Sequence, residues 1–379
     1  MVRFHLPLLT LGLLAVNTFI LLLLQADPVR AERWGFLPAQ PTALAVLTHL
    51  FVHASWLHWL KNALFLALFG WYVERVLSAG RFLLLYGLSG VGAVLVHWLM
   101  STTIQPNLYQ EGLVGASGAI SGLVGYFAMR FYRHRVRLIW ASPARWGLAI
   151  PMWVAVLFWV LLQGAGAILD AGSTAPAEVG YWAHLGGFAM GFLLAILWGA
   201  GSAGERDYLL QRAEQSLKEG AGGDALRWLQ PLLSQTPSLP NAWLQAGTAW
   251  ALLGDREEAT LALQHALQSL LEHSHPDLSL VREATDLMVE LGTLVSLEPR
   301  MLERILQLGE SSVEPAVVCR WLEHLLAYTD HPNRPEWLVR YARLLQKLGQ
   351  TQKAHAVLEQ IAQEYPDSLQ AQMLKLRHP

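Results

Sequence analysis

The sequence predicts an all-α protein in two parts, a bundle of six transmembrane helices followed by a soluble α-helical repeat domain. Three observations carry this reading: apolar residues crowd the first two hundred positions, six apolar stretches there approach bilayer length, and the remainder turns charged, amphipathic and periodic. With 53% hydrophobic and 15% charged residues among 379, the chain is too apolar for an ordinary soluble protein. The formal net charge of -2, from 27 basic and 29 acidic residues, gives no bulk attraction to nucleic acid, which is not expected as a partner. The single cysteine, Cys319, excludes an intrachain disulfide and reads as a small buried hydrophobe.

The apolar stretches run approximately Leu6 to Leu24, Trp56 to Val73, Phe82 to Ile104, Leu113 to Phe131, Leu148 to Leu169 and Val179 to Trp198. Each is near the roughly 20 residues a helix needs to cross about 30 Å of hydrocarbon. The first is long for a signal peptide, and Gln25-Ala26-Asp27 is a poor cleavage site, so it reads as a retained helix. If the N-terminus is cytoplasmic, Arg3, Arg75, Arg81, Arg130, Arg133, Arg135, Arg137 and Arg145 all lie inside. Only Arg30 and Arg33 then lie outside, and this bias predicts that both ends of the chain are cytoplasmic. Lys61, near the outer end of the second stretch, can carry its ammonium to the interface.

The predicted division is 1–198 for the membrane domain, 199–204 for a small-residue linker and 205–379 for the repeat domain. Within the latter, Leu209, Ala213, Gly220, Ala225, Leu229 and Pro237 recur 34 residues later as Trp243, Gly247, Gly254, Ala259, Leu263 and Leu271. A third unit repeats the offsets at Leu338, Ala342, Gly349, Ala354, Leu358 and Pro366. This resembles the tetratricopeptide repeat, a pair of helices with small residues at their crossing. From about His275 to Asn333 helical periodicity continues without the pattern, so an unrelated helical bundle stays open as the alternative. A solenoid of this kind would offer a concave groove to a protein or peptide partner.

In the predicted topology the second, fourth and sixth helices all run inward. From Ser117 to Arg130, His184 to Trp198 and His58 to Glu74 there are 13, 14 and 16 residues. At 1.5 Å per residue these are about 20, 21 and 24 Å, so three helices place polar groups in one layer below the outer surface. Polar groups inside a membrane are costly and usually functional. A serine meeting a histidine there is the pattern of a nucleophile with its base. His58 and Asn62 share a helix face four residues apart, and both can donate to a developing oxyanion. Gly115 and Gly118 flank Ser117 and permit a tight backbone at a helix start. Gly187 and Gly191 follow His184 on about its own face and let two helices approach closely. His53 reads as a structural hydrogen-bonder of the adjoining loop.

The set His53-x4-His58-x3-Asn62, Gly115-Ala116-Ser117-Gly118 and Ala183-His184-x2-Gly187-x3-Gly191 resembles the rhomboid intramembrane serine proteases, over about Leu6 to Gly199. The resemblance implies a Ser117–His184 dyad without a third acid. It implies an oxyanion hole from His58, Asn62 and the Ser117 backbone N–H, no metal or cofactor, and single-span membrane proteins as substrates. Glu74 resembles a family glutamate that is structural. Two positions depart from the family: Ser121 stands where an aromatic often backs the histidine, and Arg33-Trp34 where a Trp-Arg pair is frequent. The resulting expectation is a protease of the bacterial inner membrane, its activity falling with pH as His184 is protonated. The rival is a catalytically silent membrane scaffold whose repeat tail recruits partners. A transporter is disfavoured because the apolar stretches lack internal repeat symmetry.

Overall fold

The computed structural model describes residues 6–25, 33–138, 148–172 and 179–377. Arg3, Arg30 and Arg145, which entered the orientation argument, lie outside them. The described chain is helical apart from one short hairpin and an isolated bridge, and it divides into two compact units between Tyr208 and Leu209.

In the first unit, helices occupy all six apolar stretches. They are α1 (Leu8–Gln25), the short α2 (Ala45–Thr48), α3 (Trp56–Phe65), α4 (Trp71–Glu74), α5 (Ala79–Thr103), α6 (Ser117–Arg130), α7 (Met152–Ala171) and α8 (Tyr181–Leu197). By length and composition alone, α5 and α7 are able to cross a membrane singly. The second stretch is one helical run in three pieces, because a π-helical turn at Leu66–Gly70 joins α3 to α4. Ser55 starts it, its side chain accepting from the His58 backbone N–H at 3.1 Å. Glu74 ends it by capping α1: its carboxylate accepts from the Leu9 and Thr10 N–H groups at 2.9 Å each and from the Thr10 hydroxyl at 2.7 Å. A carboxylate at a helix N-terminus meets free N–H groups and the positive end of the dipole.

The fourth and sixth stretches form the tightest contact. Gly118, Gly122 and Gly125 of α6 and Gly187 and Gly191 of α8 put backbone against backbone: a methyl on Gly187 would overlap the Gly118 carbonyl, and one on Gly191 that of Gly122. Between α6 and α7 the chain forms an antiparallel hairpin, β1 (Arg135–Leu138) with β2 (Leu148–Pro151), which the all-helical expectation lacked. Gly199, at φ +67°, ends α8, and the chain bends by 69° into α9 (Ala200–Lys218). The small-residue stretch 199–204 therefore holds the bend and the first turn of α9. Gly204 packs against the Arg130 carbonyl, Arg130 pairs with Asp207, and Arg133 donates to Glu205 at 2.6 Å.

The second unit continues with α10 (Gly222–Gln235), α11 (Pro240–Leu252), α12 (Arg256–Leu271), α13 (Leu278–Glu290), α14 (Pro299–Ser312), α15 (Pro315–Leu326), α16 (Arg334–Lys347), α17 (Thr351–Glu364) and α18 (Leu369–Arg377). The 34-residue period has a physical basis. Gly220, Gly254 and Gly349 close the first helix of each unit with φ of +73°, +78° and +74°, a conformation that favours glycine. Gly247 lets α11 and α12 cross closely, since a Cβ there would lie 2.7 Å from Leu263. Where the pattern fails, α13, α14 and α15 stack around Met288, Ile305, Leu306 and Trp321 in one apolar core shared with Leu263 and Leu267.

Candidate active site

The segment before α6 is fixed from two sides. Phe36 and Leu113 exchange backbone hydrogen bonds at 2.9 and 2.8 Å, and the Gly115 N–H donates to the His49 carbonyl at 2.9 Å. Gly115 then turns at φ +114°, where a Cβ would stand 2.7 Å from His58 Nε2 and 3.5 Å from Asn62 Nδ2. The absent side chain is what lets the start of α6 lie on the His58–Asn62 face. Ser117 is the first residue of α6, so its own N–H belongs to the free donors of a helix N-terminus.

A cavity of about 620 Å³ opens here, lined by Ser117, His184, His58 and Asn62 together with Gln163, His97 and Asp170. The four side chains read from three separate stretches of sequence are thus brought to one place. Gly118, Gly187 and Gly191 do not line it; they form the seam that carries α8 against α6. Asn62 is buried and its Nδ2 has no hydrogen-bond partner. Such a donor is expensive to leave unpaired, and Asn62 lines the cavity. His53 Nδ1 donates to the Phe51 carbonyl at 3.3 Å, and its ring stands edge-on to that of His58, centroids 5.3 Å apart. The Ser121 hydroxyl donates to the Ser117 carbonyl at 2.7 Å, one turn back along α6. Among the described contacts Ser117 and His184 share the cavity without a direct side-chain hydrogen bond, an arrangement common before substrate binds.

Sequence reasoning missed several cavity residues. His184 Nδ1 is 2.8 Å from Gln163 Oε1 on α7. Trp182 of the cavity lining donates to Gln105 at 2.9 Å and Gln105 donates to Asp170 at 3.0 Å, which ties α8 and α7 to the loop after α5. His97 of α5 is buried with both ring nitrogens unpartnered. The available signal was the same one that singled out Ser117: a polar residue interrupting an apolar run.

A helical membrane bundle with a polar cavity among its helices, followed in the chain by a helical repeat unit, is the class of protein these features define. Residues 40–200 match a rhomboid domain, and residues 322–377 match a tetratricopeptide repeat. The first unit therefore carries a rhomboid domain and the second a tetratricopeptide repeat. YdcA of Bacillus subtilis (strain 168), whose name assigns it provisionally to the rhomboid proteases, is 31% identical over 153 residues, 40% of this chain and 65% of its own. RHOMBOID-like proteins 7 and 1 of Arabidopsis thaliana are 28% and 30% identical over 172 and 154 residues. Those matches cover 45% and 40% of this chain and 48% and 34% of the relatives. The chain thus spans less than two thirds of the length of each of these relatives.

Proposed function

We propose that the protein is an intramembrane serine endopeptidase working through a Ser117–His184 dyad. The observation that carries the reading is one cavity lined by a serine at a helix start, a histidine and an unpaired buried amide donor. His184 Nε2 takes the Ser117 hydroxyl proton as Oγ attacks the scissile carbonyl. The oxyanion is met by Asn62, His58 and the Ser117 N–H. The C–N bond breaks as His184 returns the proton to the leaving amine, and water then hydrolyses the acyl ester by the same route.

A second, apolar groove of about 660 Å³ supports a membrane-embedded substrate. It runs between Phe65, Leu68, Phe69 and Tyr72 on one side and Met152, Ala155, Val156 and Trp159 on the other, and shares Phe65, Val124 and Trp159 with the polar cavity. A single transmembrane segment lying there would reach the serine without crossing water. The repeat unit would hold a protein or peptide partner, the arginine distribution favours both termini in the cytoplasm, and the two-part architecture is read as that of a bacterial inner-membrane protein.

The test is labelling of the detergent-solubilised protein by a fluorescent fluorophosphonate, alongside cleavage of a model transmembrane substrate. Wild-type protein is expected to label and cleave, whereas Ser117→Ala and His184→Ala do neither while remaining folded. Equal absence of labelling and cleavage in all three folded proteins would replace this reading with the silent scaffold.

A further inference from the structure

Gln163 has no part in the dyad chemistry just described, yet its position is unusual. Apart from the indole N–H groups of its tryptophans, α7 carries polar side chains only at Gln163 and at Asp170 near its outer end, and Asp170 is bound to Gln105. An amide in the middle of an apolar span is costly unless it is bonded. Its bond goes to the proposed base, since Gln163 Oε1 lies 2.8 Å from His184 Nδ1. An amide oxygen can only accept, so the imidazole proton sits on Nδ1 and donates to it. That leaves the Nε2 lone pair for the cavity where Ser117 stands.

A second contact repeats the pairing one turn along. Gly166 follows Gln163 by three residues, Tyr181 precedes His184 by three, and a Cβ on Gly166 would lie 2.5 Å from the Tyr181 ring. Two successive rungs thus hold α7 to the start of α8. The residue one turn after Ser117 gives His184 no such support, because the Ser121 hydroxyl is turned back on its own helix.

We infer that Gln163 is a positioning residue that fixes the tautomer and ring plane of His184. The inference rests on the dyad reading. Because the amide is neutral, Gln163 orients the imidazole without countering the positive charge that forms on it, a narrower task than that of a triad aspartate.

Gln163→Met keeps length and removes the acceptor; Gln163→Glu keeps an acceptor oxygen. The Met variant is expected to lose on the order of 100-fold in kcat with KM and the thermal midpoint unchanged, as a misplaced reacting group does. The Glu variant should stay within a few-fold of wild type. Wild-type kcat in the Met variant, or a loss in both that follows a lowered midpoint, overturns the positioning role while Ser117→Ala and His184→Ala still abolish labelling. If those two variants retain labelling, the dyad reading itself falls and this inference with it. Independently of any variant's folding, 15N NMR of histidine-labelled wild type should report a protonated Nδ1 on His184; the opposite tautomer overturns the proposal.

Discussion

The α6–α8 seam and the α7 wall enclose the same cavity but are built in opposite ways. In the seam, glycines bring backbone onto backbone and residues 118 to 128 of α6 are all buried. In α7 only Ala167 is buried, and Trp153, Phe158, Leu161, Ile168 and Leu169 are all exposed. Side chains can change rotamer, whereas apposed backbones have only discrete packings. The proposed nucleophile and base therefore sit on the part of the bundle with least freedom, while the remaining wall is held by a few polar and small-residue contacts.

The comparison breaks most severely at the seam. Gly187→Val should cost at or above the upper end of the roughly 1–3 kcal/mol typical of overpacking, because the obstructing atoms are backbone and cannot turn aside. Thermal unfolding in detergent should show a lost or strongly lowered transition together with loss of cleavage; an unchanged midpoint would mean that the seam gives. Gly166→Leu tests the wall. Its obstruction is the Tyr181 ring, which is able to move, so cleavage should fall about tenfold through a displaced His184, with stability changed by less than about 1 kcal/mol. A collapse of folding equal to that of Gly187→Val would erase the distinction. Phe158→Ala, at a side chain 62% exposed, should change stability by no more than about 0.5 kcal/mol. A larger loss would show that a partner covers this face of α7.

Much of this arrangement is legible in the residues because membranes penalise polar groups so heavily. Ser117, His184, His58 and Asn62 stand out as polar interruptions at matched depth, and they do line one cavity. The glycines after His184 could be read as packing positions, but their opposite numbers Gly122 and Gly125 could not, since only the three-dimensional crossing pairs them. Gln163 obeys the same polar-interruption rule but lies outside the motif, on a helix with no other claim to the site. The hairpin at Arg135–Leu138 and Leu148–Pro151 was hidden by the apolar run that continues from β2 into α7. In the repeat unit, Gly220 and Gly254 belong to the 34-residue alignment, and the structure makes them helix ends, while Gly247 is the one at a crossing. The stretch from His275 to Asn333 lacks that spacing, and there the apolar faces of α13, α14 and α15 alone decide the packing.

The π-helical turn at Leu66–Gly70 sets the angle between the two ends of the second helical run. Such a turn holds one residue more than α-helical geometry requires, so everything before it is advanced by about 100° relative to everything after it. Below the turn, Glu74 grips α1; above it, His58 and Asn62 face the cavity. Deleting one residue here would leave the lower grip in place and swing both polar groups toward lipid. The run behaves as a two-piece shaft with a phase coupling, and an insertion or deletion within it is tolerable only when it restores that phase.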